Sequence, residues 1–462
     1  MEGPASDPLW RSAPADKAGR LDLSGPVRRA APAEMTYDVI VVGAGLAGLT
    51  AALRLSEQDR RVLVIAKGNG ATHLAPPVID VLGYAGDKRI ESPQKALSGF
   101  VVSHPGHPYA NVSADVIAES LDWLSRRVPE LGYQGRLDEN WLLPTAVGVP
   151  KPSALVPESM VAGDLRRGGR FVFIGLRGLK DFHASYLADN LARAQLPARV
   201  STRFIELEPP HDRNADPGSV GFARRFDEPR FRDWIVQALA GQLEPNEKVG
   251  FPAVLGIEKA GEVWRDLERR LEHPAFEVPL LPPSAPGIRL YDALARALRQ
   301  AGARILIGDR VAAGGSEGGR VAEINALTAA RPVAYRANSF VLATGGFASG
   351  GLELDSRGSV RETVFGLPVA GMPDAGEPMF SPRYFDTHAV SRAGVAVDAR
   401  LRPVDEKGKV VFENLHAAGA ILSGAVPWRE HSGNGISLAT GYAVAAAILE
   451  HAAPRIRVDA RD

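Results

Sequence analysis

Glycines at a fixed spacing are the residues of this sequence that point most directly to chemistry. The stretch 41–48 reads VVGAGLAG, which contains a G-x-G-x-x-G pattern. Between a strand and a helix, the first glycine permits a tight turn, the second lets the backbone approach a pyrophosphate, and the third allows close packing. Backbone amides at the start of such a helix bind phosphate. The predicted phosphate-binding turn comprises Gly43, Ala44, Gly45, Leu46, Ala47 and Gly48.

The residue that should follow this turn is missing. Dinucleotide-binding folds commonly place an acidic residue about 20 positions further on, where it binds a ribose hydroxyl. Here the second strand reads RVLVIAKG and ends in Ala66 and Lys67. Two interpretations stay open: Lys67 contacts a phosphate, as in a mononucleotide or a 2′-phosphate, or FAD binds without that contact. A solvated lysine at a strand end is the alternative without a function.

Two later segments carry further flavin signals. The stretch 339–347, SFVLATGGF, is a buried strand that ends in small residues beside the predicted nucleotide. The stretches 414–420 and 432–448 are a short strand and a long apolar helix, whose positive N-terminal end would stabilise negative charge on a reduced flavin. The cofactor-binding residues predicted from these segments are Thr344, Gly345, Gly346, Gly419, Ser432, Gly433, Asn434 and Gly435.

The elements that must position these residues alternate between strand and helix. Residues 37–66 predict a strand–helix–strand unit, and the alternation resumes near residue 171. We therefore predict an α/β protein: a Rossmann-like FAD/NAD(P)-binding flavoprotein fold with an inserted second α/β domain. The predicted parts are a disordered leader over 1–34, a discontinuous flavin-nucleotide-binding domain over 35–84 plus 281–455, and an inserted α/β domain over 85–280 that serves as a cap or partner domain.

Composition narrows the functional classes. Lys+Arg and Asp+Glu are both 54, which gives no bulk attraction to nucleic acid. The sequence has no cysteine, so it cannot form disulfides, thiolate nucleophiles, Cys-ligated zinc sites or iron–sulfur clusters from its own residues. No apolar run reaches the ~20 residues of a membrane-spanning helix, no secretory signal is evident, and no spacing suggests a metal site. We expect a cytoplasmic protein that uses an organic redox cofactor.

Together with the glycine motifs, several less generic segments show that residues 35–450 resemble the B subunit of anaerobic glycerol-3-phosphate dehydrogenase. The resemblance implies a flavoprotein with FMN, or alternatively FAD, that relays electrons beside other subunits. It implies an FAD-carrying catalytic A subunit that oxidises glycerol 3-phosphate to dihydroxyacetone phosphate, and a membrane-associated iron–sulfur C subunit that reduces quinone in anaerobic respiration. It places the chain at the inner face of the cell membrane through those partners. The segments are 72–83 (THLAPPVIDVLG), 106–109 (GHPY), 178–182 (GLKDF), 281–290 (LPPSAPGIRL) and 341–352 (VLATGGFASGGL).

Few side chains are candidates for the chemistry itself. Thr72 and His73 follow the second strand, where related flavoproteins pass near the flavin ring. We therefore predict Thr72 as a cofactor contact and His73 as a catalytic residue. Arg289, just before a helix, is the second catalytic candidate, since it could pair with a substrate phosphate or the reduced flavin. A loop histidine and a helix-start ion pair are the structural alternatives. At the level of the protein, the alternatives are a self-sufficient FAD-dependent reductase of the fumarate-reductase type and a non-catalytic docking subunit.

Overall fold

The computed structural model describes residues 37–210, 218–328, 331–374 and 376–451. The predicted disordered leader, 1–34, and both outer ends of the predicted nucleotide-binding domain lie outside these ranges. The helices within them, in chain order, are α1 (Leu46–Ser56), α2 (Pro93–Ser103), α3 (Ala114–Arg127), α4 (Glu158–Val161), α5 (Ala184–Arg193), α6 (Ser219–Asp227), α7 (Pro229–Leu239), α8 (Ala260–Leu271), α9 (Ala285–Gln300), α10 (Pro427–Glu430) and α11 (Gly433–His451).

Many short strands connect these helices. In chain order the strands of the same ranges are β1 (Tyr37–Val42), β2 (Val62–Ala66), β3 (Tyr84–Ala85), β4 (Lys88–Arg89), β5 (Gln134–Gly135), β6 (Trp141–Leu143), β7 (Lys151–Ser153), β8 (Leu155–Val156), β9 (Gly169–Leu176), β10 (Val200–Leu207), β11 (Glu247–Pro252), β12 (Ala275–Val278), β13 (Arg304–Ile307), β14 (Arg310–Ala313), β15 (Ser316–Glu317), β16 (Arg320–Val321), β17 (Glu323–Leu327), β18 (Pro332–Leu342), β19 (Leu352–Leu354), β20 (Val360–Glu362) and β21 (Leu415–Ala417).

The larger sheet is assembled from distant parts of the chain. Its seven strands run in the order β13-β2-β1-β18-β17-β14, with β21 beside β18. Strands β13, β2, β1, β18 and β21 run parallel to one another, so their carboxyl ends meet at one edge, while β17 is antiparallel to β18. In open α/β sheets, ligands bind in the crevice outside the carboxyl ends of the strands. The predicted α/β Rossmann-like fold is confirmed, and this edge is where the site is built.

Helices α1 and α11 pack against each other over this sheet. The apolar residues of α1, among them Leu49 and Leu53, are fully or almost fully buried. Small residues bring the helices close, because a Cβ added at Gly441 would lie 2.4 Å from the Ala47 carbonyl oxygen. Across the contact, the Arg54 guanidinium lies over the Tyr442 ring, 3.5 Å from its centroid. The first and the last helix are thus held as one unit.

The second sheet is smaller and lies between the two halves of the first in the sequence. Its four parallel strands run in the order β10-β9-β11-β12, with helices α5 to α8 connecting them. Its core is aromatic: Phe173 and Phe276 are fully buried, with ring centroids 6.1 Å apart in an edge-to-face arrangement. This is the inserted α/β unit that the sequence predicts, and its boundaries at 85 and 280 stay a prediction.

Two local expectations are wrong. We expect FPAVLGI, residues 251–257, to be a strand, but β11 ends at Pro252 and the rest of this stretch is loop. We expect a single helix between 68 and 170, but α2 precedes α3 in that region. In α2 the signal is an N-cap: the Ser92 hydroxyl accepts from the Lys95 amide, and a proline follows at the first helical position.

Candidate cofactor-binding site

A cleft of about 530 Å³ opens at the carboxyl edge of the larger sheet. Sites for small molecules and cofactors commonly have volumes of about 300–1,000 Å³. Residues from all three glycine-rich segments meet there, although they are far apart in the chain. The predicted cofactor residues that line the cleft are Gly43, Ala44, Gly45, Leu46, Ala47, Lys67, Thr72, Thr344, Gly345, Gly419 and Asn434.

The three glycines of the first motif differ in what surrounds them. Gly43 has a φ of +115°, and a Cβ there would lie 2.2 Å from the Ala343 carbonyl oxygen. A Cβ at Gly48 would lie 2.1 Å from the Gly43 oxygen, so this glycine packs helix against strand and does not line the cleft. At Gly45 an added Cβ would meet nothing within 4 Å. The second glycine therefore borders open space, as a backbone that receives a phosphate requires.

Helix α1 begins at this open space. Gly45 precedes its first residue, no side chain caps the helix, and its first turn contains no acidic residue. The first backbone N–H groups of a helix lack partners within the helix. With Leu46 and Ala47 lining the cleft, those amides and the positive end of the helix dipole favour an anion such as a diphosphate.

Charged residues from two segments lie near the end of β2. The Gly308 amide donates to the Ala66 carbonyl oxygen at 2.9 Å, which holds the chain after β13 against the tip of β2. Asp309 and Lys67 both line the cleft, and within the described ranges neither side chain has a hydrogen bond or ion pair. Arg310 also lines it and pairs with Glu353 at 3.6 Å. Asp309 is a residue that the sequence analysis missed.

The strand end of the second segment also fits a bound group. Thr344 and Gly345 line the cleft, and Gly345 has a φ of +75°. The Thr344 hydroxyl oxygen is buried and makes no hydrogen bond. A buried hydroxyl without a partner is costly unless a ligand satisfies it. Gly346 does not line the cleft, so two of the three residues predicted from this segment are found there.

At the start of α11, Asn434 lines the cleft while its neighbours do not. Its side-chain amide donates to the carbonyl oxygens of Pro76, at 3.1 Å, and Val78, at 2.8 Å. The Gly435 amide donates to the Asp80 oxygen at 2.9 Å. These bonds tie the loop after β2 to the first turn of α11. The predicted residues Ser432, Gly433 and Gly435 therefore support this corner without lining the cleft.

The largely buried Glu430 side chain stabilises the chain just before α11. The Glu430 carboxylate accepts from His107 Nε2 at 3.1 Å and from the Ser432 hydroxyl at 2.7 Å. The Val426 amide donates to it as well, at 2.7 Å. Burial by itself raises the pKa of Glu430, but the hydrogen bond and the charge of His107 and the other donors hold this pKa below its ordinary value. Glu430 has no recognisable sequence signal, since its role depends on a contact with a distant loop.

The two catalytic candidates do not line the cleft. His73 packs edge-to-face on Tyr291 with ring centroids 4.4 Å apart, and its Nε2 atom is buried without a hydrogen bond. Burial lowers the pKa of the His73 imidazole. Arg289 donates to both Glu277 carboxylate oxygens, at 2.7 and 2.9 Å, and to the Gly256 oxygen. The structure thus gives Arg289 the arrangement of the structural alternative, an ion pair, and both catalytic roles stay predictions.

No group of three or more His, Asp or Glu residues within the described ranges could hold a metal ion. No helix in the part of the chain that the structure describes has the length and apolar character needed to cross a bilayer.

Comparison with known proteins agrees with the cleft. A family model described as an FAD binding domain matches residues 38–436. A probable B subunit of anaerobic glycerol-3-phosphate dehydrogenase from Halobacterium salinarum is 34% identical over 426 residues, covering 89% of this chain and 98% of that protein. The B subunit of the same enzyme from Pectobacterium carotovorum is 30% identical over 423 residues, covering 90% and 99%.

A 3-ketosteroid Δ1-dehydrogenase from Sterolibacterium denitrificans aligns over 90% of this chain and 99% of that chain, with 13% identity and a TM-score of 0.42. A likeness this weak adds nothing to the sequence relationships.

The matched family and the glycine-lined cleft define a class: this protein is a flavin-dependent oxidoreductase with an FAD-binding fold. Within that class, the chain belongs to the family of anaerobic glycerol-3-phosphate dehydrogenase B subunits, to which its full-length relatives belong. The family resemblance inferred from the sequence is confirmed.

Proposed function

We propose that this protein binds FAD and is the flavin subunit of a complex that oxidises glycerol 3-phosphate to dihydroxyacetone phosphate. The observation that carries the proposal is the cleft itself, which runs from Asn434 and Thr72, past the glycine turn, to Asp309 and Arg310. The names of the relatives support the substrate class.

The length of the cleft favours FAD over FMN. FMN ends at a single phosphate, which the turn at Gly45 would bind. The cleft continues beyond that turn across the tips of β2 and β13, as Ile65, Ala66 and Asp309 show. Neighbouring strands are about 4.8 Å apart, so β13 lies about 10 Å from β1. An adenosine would occupy that extension. FMN, with Lys67 on its phosphate, is the second candidate.

The residues of this chain would hold the cofactor mainly through backbone groups. The first amides of α1 would bind the diphosphate, and the Thr344 hydroxyl would gain the partner that it lacks. The N-terminal end of α11 would stabilise negative charge near Asn434. The flavin, when bound, supplies the redox chemistry, and the protein supplies orientation and electrostatics. Proposed cofactor contacts are Gly43, Ala44, Gly45, Leu46, Ala47, Lys67, Thr72, Thr344, Gly345, Gly419 and Asn434.

The sequence has no cysteine, so a relay from the flavin to an iron–sulfur cluster would require another protein to hold that cluster. The names of the relatives, which call them B subunits, support an assembly with further subunits. We propose an FAD-carrying catalytic A subunit and an iron–sulfur C subunit as those partners, with this chain at the inner face of the membrane through them.

The cofactor is tested by releasing the flavin from purified protein with acid and measuring its mass. We expect yellow protein and a released mass equal to that of FAD. Release of FMN alone would overturn the FAD assignment. A colourless protein that takes up neither flavin would instead indicate the non-catalytic docking subunit.

The activity is tested by comparing the isolated chain with the chain purified together with its proposed partners. We expect glycerol 3-phosphate to reduce an artificial acceptor only in the complex. Steady turnover of fumarate or another acceptor by the isolated chain would favour the self-sufficient reductase. A complex with full activity after the flavin is removed from this subunit would contradict the relay.

A further inference from the structure

The tip of β2 lacks the acid that would bind the adenosine ribose, because Ala66 and Lys67 occupy that position. A ribose diol offers two hydroxyl donors, which a carboxylate accepts well because an ionised acid acts only as an acceptor. If FAD is the cofactor, as proposed above, a carboxylate from another element can take this place.

The neighbouring strand brings such a carboxylate to the same point. Strand β13 runs parallel to β2, with Ile307 opposite Ala66. The pairing extends past the strand end, since the Gly308 amide donates to the Ala66 oxygen at 2.9 Å. Asp309 is the next residue, and it lines the cleft. It therefore leaves the sheet one strand away from the missing acid, a displacement of about 4.8 Å.

The carboxylate of Asp309 is available, whereas the other one in the cleft is not. Among the residues that line the cleft, Asp309 and Glu353 are the acids. Glu353 is held by Arg361, whose Nη2 donates to it at 2.5 Å, and by Arg310 at 3.6 Å. No ion pair or hydrogen bond is formed by Asp309 in the described part of the chain. Its charge is left for a ligand.

The sign of this charge also selects among ligands. A 2′-phosphate, or an FMN phosphate at the tip of β2, would meet the negative charge of Asp309 at close range. That charge would repel either phosphate, whereas it would not repel the neutral hydroxyls of a ribose. Lys67 lies in the same lining, and its positive charge favours the negatively charged diphosphate of FAD.

We infer that Asp309 binds the hydroxyls of the adenosine ribose, so that β13 supplies the carboxylate that β2 lacks. The inference concerns only the adenosine half of the cofactor. Loss of the Asp309 carboxylate should therefore weaken the binding of FAD and leave the binding of FMN and riboflavin unaffected.

The test is a flavin titration of protein from which the bound flavin has been removed, followed by quenching of flavin fluorescence. We expect Asp309→Asn to raise the Kd for FAD about tenfold, the loss expected for a hydrogen-bonded charge, while any weak binding of FMN changes less than about twofold. Asp309→Glu should recover part of the affinity. Glu317→Gln, at an exposed acid of β15 outside the cleft lining, is the matched control, and its Kd for FAD should stay near that of the wild type.

The outcomes separate the two proposals. An unchanged Kd for FAD in Asp309→Asn, or equal losses for FAD and FMN, would overturn the role of Asp309. Wild-type protein that binds FMN and not FAD would overturn the cofactor proposal itself, whatever the variants do. Thermal melting of the flavin-free variants serves as the check on folding. If Asp309→Asn melts early, Asp309→Ser is titrated in its place, with the same expectation.

Discussion

The two sheets of this molecule both contain neighbouring parallel strands, but they differ in how tightly the space around those strands is filled. In the larger sheet, the chain leaves β1 at Gly43 and β18 at Thr344 with little side-chain bulk, and the hollow beyond is lined by backbone. In the smaller sheet, aromatic side chains pack closely around the middle of the strands. A Cβ at Gly250 there would lie 2.7 Å from both the Phe173 and the Phe276 rings. The cleft of about 530 Å³ lies at the carboxyl edge of the larger sheet, whereas in the smaller sheet these rings leave no room for a side chain at Gly250.

Charge shows the same contrast. At the second sheet, Arg289 and Glu277 form a pair whose side chains are 8% and 0% exposed, and buried Arg232 bonds Asp266 at 3.0 Å. At the first sheet, Lys67 and Asp309 have no partner in the part of the chain that is described. Charges that pair with each other hold a structure together, while unpaired charges in a cleft are free to bind a ligand. The following predictions test this distinction, from the largest expected effect to the smallest.

Gly43→Ala should have the largest effect. A side chain would strain the backbone at φ +115° and collide with the Ala343 oxygen, 2.2 Å away. Strain and overpacking each cost about 1–3 kcal/mol, so the free energy of unfolding should fall by about 2–6 kcal/mol. Urea denaturation measures it. Gly45→Ala is the control. Equal losses of unfolding free energy in the two variants would contradict the crowding at Gly43.

Glu277→Gln should be nearly as damaging, for a different reason. It leaves the Arg289 guanidinium buried without its counter-charge, which costs about 3–5 kcal/mol of unfolding free energy. Flavin content per folded molecule should stay unchanged, as absorbance of the purified variant would report. If Glu277→Gln had normal stability but had lost its flavin or its activity, that result would instead support a catalytic role for Arg289.

Gly45→Val should affect binding rather than folding. Because a Cβ at Gly45 meets nothing within 4 Å, the side chain would occupy the hollow itself. The Kd for the flavin should rise at least about tenfold, or about 1.4 kcal/mol. The flavin-free protein should unfold near the wild-type midpoint. Full flavin occupancy in this variant would contradict the site.

Glu430 should make stability depend on pH. Its pKa is lowered in the folded protein, so the stability that it contributes is complete above its unfolded pKa of about 4.3 and is lost as the pH falls through the folded value. Unfolding measured from about pH 6 to about pH 3 should show a steeper loss in the wild type than in Glu430→Gln. Parallel curves would mean that the carboxylate is not held by His107 and Ser432.

The smallest effect is expected at an exposed ion pair of the second sheet. Arg170 and Glu244 are paired, but their side chains are 45% and 52% exposed. Arg170→Gln should change the free energy of unfolding by no more than about 1 kcal/mol, and less at high salt. A loss as large as that of Glu277→Gln would show that burial does not separate the two kinds of pair.

Local pattern was sufficient for the first part of the fold. The apolar runs predict β1 and β2 nearly to the residue and α1 with a start three residues too late, because each depends on neighbours within a few positions. The sequence also predicts a helix from Leu290, but α9 begins earlier, at Ala285, where the Ser284 hydroxyl caps the helix start by accepting from the Gly287 amide.

Pairing over long separations could not be predicted in this way. Asp309 joins the cleft only because β13 pairs with β2, and no feature of residues 304–309 indicates that partner. Arg289 was predicted beside a ligand because its sequence context shows a helix start, whereas Glu277 reaches it from another strand. Residue type and spacing thus located the backbone of the site, and tertiary pairing decided which charged side chains belong to it.

The packing of α1 against α11 has a consequence for how this protein acquires its cofactor. Gly441 packs against the backbone of Ala47, and Asn434 lines the same cleft as Gly45, so the first and the last helix of the described chain both border the cleft. Helix α11 contributes Asn434 and Ser437 to the lining, although it lies almost 400 residues from the glycine turn in the sequence. We therefore expect a chain truncated before residue 433 to bind flavin more weakly than the full chain, even though its glycine turn is intact.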